Sequence, residues 1–262
     1  MTGFDIQSEF RDALEKVHPE WLSPVKCGLY AIERSFPGYL QSLAKSDFLP
    51  TENRIFSAFS RAPSEIRYVL VGEGPYPRPE SATGYAFMDG AVQSIWLDDG
   101  SGFSKHVNKA TSLRNFLKML CVTEGFLMAD QTSGGAMAEI LPKARLAGVN
   151  LIRTLPELQC NLVENGFLLL NASLVFRRDV APVKDGKSWM PFLREILLYL
   201  QSASSTPPAL VLWGKVASEI NKIPEASSMP QLISEHPYNL SFIQNHLMQD
   251  FFKQFGLLRQ RI

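Results

Sequence analysis

Cysteine is scarce in this 262-residue chain: Cys27, Cys121 and Cys160 are far apart, and none belongs to a CxxC pair. An odd number at such spacing provides neither a disulfide framework nor a zinc cluster, so the three are expected to be reduced packing residues. No apolar run reaches the roughly 18 residues that a membrane-spanning helix needs, which excludes a helical span. The opening stretch, MTGFDIQSEF, carries acidic side chains where a secretory leader carries basic ones, so a cytoplasmic address is expected. Also missing are GxGxxG, the GxxxxGK[ST] loop, HExxH, the HxE plus PCxxC pair and GxSxG. Nucleotide-cofactor, metal and serine-nucleophile chemistry therefore have no motif to rest on, and neither a metal nor an organic cofactor is expected.

Net charge is absent as well, with 26 Lys and Arg against 26 Asp and Glu. The zero hides a gradient of −5 over residues 1–100, +4 over residues 101–200 and +1 over the remainder. Holding a polyanion by bulk charge needs a surplus of cations, so any grip on nucleic acid has to be local. The one basic cluster, Lys105, Lys109, Arg114 and Lys118, has a spacing that a solvated helix face would also show.

What is present is the composition of a globular protein, 45% apolar and 20% charged, with no repeat, low-complexity tract or long linker. One domain spanning residues 1–262 is the simplest organisation. Residues 1–60 read as two or three helices, with loops at Phe36–Gly38 and near Pro50. Apolar runs at Arg67–Gly72, Gly166–Asn171 and Ala209–Trp213, and a weaker one at Gln231–Ser234, read as buried strands. Helical spacing marks Ser112–Val122, Leu155–Glu164, Pro191–Gln201, Lys215–Asn221 and Asn245–Phe255, with Pro156 and Pro191 suited to first turns. Residues 129–150, rich in small side chains, read as a loop with one short helix. Strands alternating with helices predict a three-layer α/β/α domain around a central, mostly parallel sheet of four strands.

In such sheets, sites form beyond the carboxyl ends of the strands. That rule selects Gly72-Glu73-Gly74-Pro75-Tyr76-Pro77 with the following Gly84-Tyr85-Ala86-Phe87, then Asn171-Ala172-Ser173, then Gly214-Lys215, then the segment His236 to Ser241. Taken singly, each also has an ordinary structural reading: Phe87 as core, Asn171 as a turn or cap residue, His236 as a turn residue and Leu240 as an incidental surface side chain.

In register, these segments resemble the uracil-DNA glycosylase superfamily, most nearly its family 1 branch. GEGPYP stands where the family has GQDPYH, and GYAF where it has GLAF. LLLN at Leu168–Asn171 is identical, VLWG matches LLWG, HPYNLS matches HPSPLS, and Thr111-Ser112-Leu113-Arg114-Asn115 is similar to PPSLKN. The likeness covers about residues 65–257. It implies a monofunctional enzyme that flips uracil out of DNA and hydrolyses its N-glycosidic bond, acting as a monomer. By resemblance, His236 would donate to the uracil O2, Asn171 would pair with its amide edge, Phe87 would stack on the base, and Tyr76 beside Gly74 would exclude a C5 methyl. Leu240 would fill the space left by the flipped nucleotide, and Ser112, Gly214, Lys215 and Ser241 would hold phosphates.

The chain departs from the family at the motif's Asp, which is Gly74 here. The neighbouring Glu73 is the expected replacement carboxylate, and GEGP resembles the GEAPG of other branches. Pro77 replaces a histidine, and Tyr238-Asn239 replace Ser-Pro. The departures leave alternatives: a glycosylase for another modified or deaminated base, a DNA-binding member impaired in catalysis, or, unrelated to DNA, a nucleoside binder.

Overall fold

The computed structural model describes residues 5–203 and 205–261, so the first four residues of the acidic opening stretch lie outside the described part. Four strands form where the apolar runs place them: β1 (Tyr68–Gly72), β2 (Phe167–Asn171), β3 (Ala209–Trp213) and β4 (Gln231–Ser234). They make one sheet in the order β2-β1-β3-β4. β1 runs parallel to both neighbours, with Val69 opposite Leu168 and Leu210, and Gly72 opposite Asn171. β4 follows β3 in the same sense, since the N–H groups of Leu210 and Gly214 donate to the carbonyls of Pro230 (2.8 Å) and Ser234 (2.9 Å).

Val69, Val71, Leu168, Leu170, Leu210 and Leu212 on one face are buried, and so are Leu70, Leu169 and Val211 on the other. Burial on both faces is why the strands read as continuous apolar runs rather than alternating ones. The result is the expected α/β/α layering.

The chain divides into two compact units. The first comprises Met1–Gly90, Gly166–Leu212 and Val216–Gln231, and the second Ala91–Asn165, Trp213–Lys215 and Leu232–Ile262. In the first, helices Leu22–Ser35 and Pro182–Ser202 pack together. A Cβ on Gly28 would lie 2.5 Å from the Phe192 ring, so glycine permits their approach. Trp21, Phe56, Phe59, Trp189 and Phe192 are fully buried there, each contributing about 2–3 kcal/mol through area removed from water. Asp185, 1% exposed, accepts from Arg177 Nη2 (2.6 Å), Arg177 Nε (3.2 Å) and the Tyr39 hydroxyl (2.8 Å). Burial, reinforced by that carboxylate, pushes the Tyr39 phenol well above its ordinary pKa. In the second unit, Trp213 is ringed by Phe116, Phe242 and Phe252, and its indole N–H donates to Met248 Sδ. Helix Leu155–Glu164 starts as its sequence predicts, with a Thr154–Glu157 capping box and Pro156 in the first turn.

Several sequence expectations are corrected. Pro191 lies inside the helix Pro182–Ser202, whose first turn carries Pro182 and Asp185 instead. The carbonyl that loses its partner to a mid-helix proline belongs to Lys187, an exposed residue, so water can serve it. Residues 129–150 hold two short helices, Gly134–Ala138 and Ile140–Leu146, rather than one. The N-terminal part is more broken than expected, with short helices Ile6–Glu9, Arg11–Leu14 and Tyr39–Ala44 around the long one. Only Cys121 is a packing thiol, and burial raises its pKa; Cys27 and Cys160 are exposed. Among the described residues, no helix is long and apolar enough to cross a membrane.

Candidate active site

In the first unit, the candidate residues gather where β1 and β2 end side by side. The parallel ladder continues past both strands, with Ala172 N–H donating to the Gly72 carbonyl (2.8 Å) and Ser173 N–H to the Glu73 carbonyl (3.1 Å). This ties Glu73 and Gly74 to the end of β2 while leaving both residues exposed. Asn171 is 4% exposed, yet among the described residues its carboxamide has no protein partner. Its amide atoms are not among the enclosed polar atoms that lack a partner, so they reach accessible space and can offer a donor and an acceptor together to a ligand. A Cβ on Gly72 would come within 2.6 Å of Asn171 Oδ1 and 3.0 Å of the Ala86 Cβ, so the glycine makes the space in which the amide sits.

The segment after β1 returns to the same place. Gly84, at φ 86°, passes so close to the Arg54 carbonyl that a Cβ would clash at 2.1 Å. Ala86 N–H donates to the Leu169 carbonyl of β2. Phe87, at φ 63°, is held in the left-handed region, where a bulky non-glycine residue is strained. Such strain survives only where the surroundings enforce it, and the ring it presents is half-buried rather than core. Tyr76 is also half-buried. Burial and the nearby Asp89 carboxylate push its phenol well above the usual range, with Arg78 opposing, so it stays a neutral hydroxyl at physiological pH. Arg78 Nη2 reaches Asp89 Oδ2 at 3.4 Å.

In the second unit the candidates gather around His236. Gly214, at φ 69°, brings its backbone against the imidazole's own Cβ, since a side chain there would lie 2.8 Å from it. Tyr238 N–H donates to His236 Nδ1 (3.1 Å). A ring that accepts at Nδ1 carries its proton on Nε2 when neutral, which makes Nε2–H a donor. Asn239 N–H donates to the His236 carbonyl (2.9 Å), closing the turn. Asn115, fully buried on the helix Thr111–Thr123, donates its amide to the carbonyls of Pro237 (2.8 Å) and Tyr238 (3.4 Å). Ser112 is half-exposed in the first turn of that helix, where backbone N–H groups lack intrahelical partners. Lys215, Leu240 and Ser241 are exposed, Leu240 to 66%.

Two contributors to these geometries stand in the candidate segments with no role assigned from the sequence. Asn115 was visible only as the last letter of a serine-bearing motif. Gly72 was visible as a strand-end glycine, whose clash with Asn171 depends on strand register. The basic cluster is partly committed to its own unit: Lys118 donates to the Thr132 carbonyl and Arg114 to that of Asn108, while Lys105 and Lys109 remain exposed. Burial, then repulsion from Arg114, lowers the Lys118 pKa. A cavity of about 820 Å³ in the first unit, between residues such as Phe10, Phe48 and Phe176, reaches Pro77 of the loop after β1 but is lined by none of the residues given a role in base or phosphate binding.

No family model matches the chain. It is 28% identical over 227 residues to a uracil-DNA glycosylase of Lactococcus lactis subsp. cremoris, covering 85% of this chain and 84% of that one. It is also 28% identical over 256 residues to one of Flavobacterium johnsoniae, covering 92% and 96%. The mimivirus uracil-DNA glycosylase shares the fold, with a TM-score of 0.51 at 14% identity over 90% of this chain and 76% of that one. The crystal structure of the UNG from Nitratifractor salsuginis superposes with a TM-score of 0.85 at 37% identity, covering 98% of this chain and 97% of that one. With that identity along nearly the whole of both chains, and with relatives that bear the name, the chain belongs to the uracil-DNA glycosylase family.

Proposed function

We propose that the protein is a monofunctional DNA glycosylase that hydrolyses the N-glycosidic bond of uracil extruded from DNA and leaves an abasic site. The observation that carries this reading is the carboxamide of Asn171, without a protein hydrogen bond at the end of β2, where the backbone next to the strained, half-buried Phe87 joins that strand through Ala86. Uracil offers N3–H as donor and O4 as acceptor, which one amide satisfies together, and its flat face suits an aromatic plate. On this reading Tyr76, neutral and half-buried, excludes a methyl at C5.

The chemistry follows from what the leaving group needs. As the C1′–N1 bond breaks, its electron pair departs on the base, and the negative charge is shared between N1 and O2. The Nε2–H of His236 donates to O2 and stabilises that charge, a contribution larger in a dry site than in water. Water adds to C1′ of the sugar cation. Glu73 orients that water, takes its proton and offsets the cation's charge, filling the role of the acid missing at Gly74. Leu240 enters the gap in the stack, and Ser112, Gly214, Lys215 and Ser241 hold phosphates. The same reading has the chain act as a cytoplasmic monomer without metal or organic cofactor.

Uracil-containing oligonucleotides treated with the protein and then with alkali are expected to be cut at uracil. Glu73→Gln should slow turnover about 100-fold or more, the range for loss of a general base. Unchanged turnover in that variant would remove Glu73 from the reaction. Absence of product from uracil while hypoxanthine or hydroxymethylated bases are released would move the activity to another base. The exposed Gly74, with no carboxyl of its own, favours a second reading, a DNA-binding member without catalysis; binding with no product from any base would establish it.

A further inference from the structure

Tyr238 combines a fixed backbone with an unburied ring. Its N–H is held by His236 Nδ1 (3.1 Å) and its carbonyl accepts from Asn115 (3.4 Å), while the residue is 68% exposed. Among the described residues its ring meets no other aromatic and its hydroxyl no hydrogen-bond partner. An exposed tyrosine on a mobile loop would be unremarked; one whose backbone is tied on both sides is presented at a set place. Two residues on, Leu240 is 66% exposed, so the turn carries two large apolar groups in water. Ser241 and Lys215, exposed in the same unit, supply a hydroxyl and a cation, the partners that a phosphodiester backbone takes.

We infer that Tyr238 is a stacking platform for the nucleobase adjacent to the extruded one, in the same DNA strand. The ring gives a flat face of two rotatable bonds to a partner that is itself flat and apolar on its faces, and any of the four bases serves. The contact differs in kind from that of Leu240. An aliphatic wedge gains by filling a hole between base pairs and so depends on a duplex, whereas a stack on one neighbouring base needs one strand only. The serine that stands at this place in the motif HPSPLS cannot stack, so the platform belongs to this chain's departure from that motif. The inference rests on the glycosylase reading, since it takes the turn to lie on DNA.

The test uses the full-length protein and a single-stranded oligonucleotide that carries a tetrahydrofuran abasic analogue flanked by 2-aminopurine. Tyr238→Ala and Tyr238→Ser are expected to bind about tenfold more weakly than the unaltered chain, a loss within the range for one base–aromatic stack. Tyr238→Phe should bind as the unaltered chain does. At saturating protein, with the oligonucleotide fully bound, quenching of the 2-aminopurine should be lost in Tyr238→Ala and Tyr238→Ser and kept in Tyr238→Phe, a signature that a variant unable to fold, and so unable to bind, would not produce. Melting temperatures should be equal, because the side chain buries little. If uracil is released from DNA but Tyr238→Ala binds and quenches like the unaltered chain, the platform is refuted while the glycosylase reading stands. If the unaltered chain neither binds the oligonucleotide nor releases uracil, both fail together.

Discussion

At the scale of single residues, the two glycines of GEGP have opposite surroundings. At Gly72 a Cβ would meet Asn171 Oδ1 at 2.6 Å, whereas at Gly74 the nearest atom would be the Ser173 carbonyl oxygen at 3.7 Å, an ordinary contact. Gly72 is therefore required by its neighbour, and Gly74 is not held as glycine by lack of space. Gly72→Ala is expected to push the Asn171 amide out of place, destabilise the fold by about 1–3 kcal/mol and weaken uracil release. Gly74→Ala should alter stability by less than about 0.5 kcal/mol. Thermal unfolding and single-turnover uracil release measure both. Equal stability and release in Gly72→Ala and the unaltered chain would mean that the amide is not positioned by this contact. The residue types at Phe87, Asn171 and His236 could be read from the sequence, but not that Phe87 sits at φ 63° or that Tyr238 N–H occupies His236 Nδ1. Those facts depend on backbone conformation, which residue identity leaves open.

At the scale of elements, the strands were the most legible part. Their ends agree with the apolar runs to within a residue, because a strand buried on both faces has no polar positions to blur its limits. Helix limits were less legible where a proline had two meanings: Pro156 opens its helix, whereas Pro191 lies inside one. Least legible was the pairing of elements distant in sequence. The helix Thr111–Thr123 holds the turn that carries His236 through one buried side chain, across 122 residues. Asn115→Ala leaves the Pro237 carbonyl without its donor, at about 1–3 kcal/mol. It should also slow base release about tenfold, because the turn carries the imidazole, and weaken affinity for an abasic product analogue, because the same amide holds the Tyr238 carbonyl. Asn115→Asp should not restore the rate, since a carboxylate cannot donate to two carbonyls. Nitrogen NMR shifts of the His236 ring report the tautomer directly; an unaltered tautomer and rate with only a lower melting temperature would reduce Asn115 to a purely structural role.

At the scale of the whole molecule, net charge sets how the protein can hold a polyanion. Equal numbers of acidic and basic residues give no long-range attraction to DNA, and the proposed phosphate contacts, Ser112, Gly214, Lys215 and Ser241, include one cation. Hydroxyl and backbone N–H donors bind phosphate without displacing many condensed counterions, so affinity should depend only weakly on salt. The logarithm of the association constant against the logarithm of salt concentration should fall with a slope of magnitude about 1–2, as for one or two neutralised phosphates. Lys215→Gln should reduce that magnitude by roughly 0.7–0.9, the share of a single cation on single- or double-stranded DNA, while Ser241→Ala should weaken binding and leave the slope unchanged. A slope of magnitude five or more would require a basic surface beyond these residues. Lys105 and Lys109, exposed where Arg114 and Lys118 are already engaged, would then be the cations to substitute next, and the local grip inferred from the neutral sequence would be wrong.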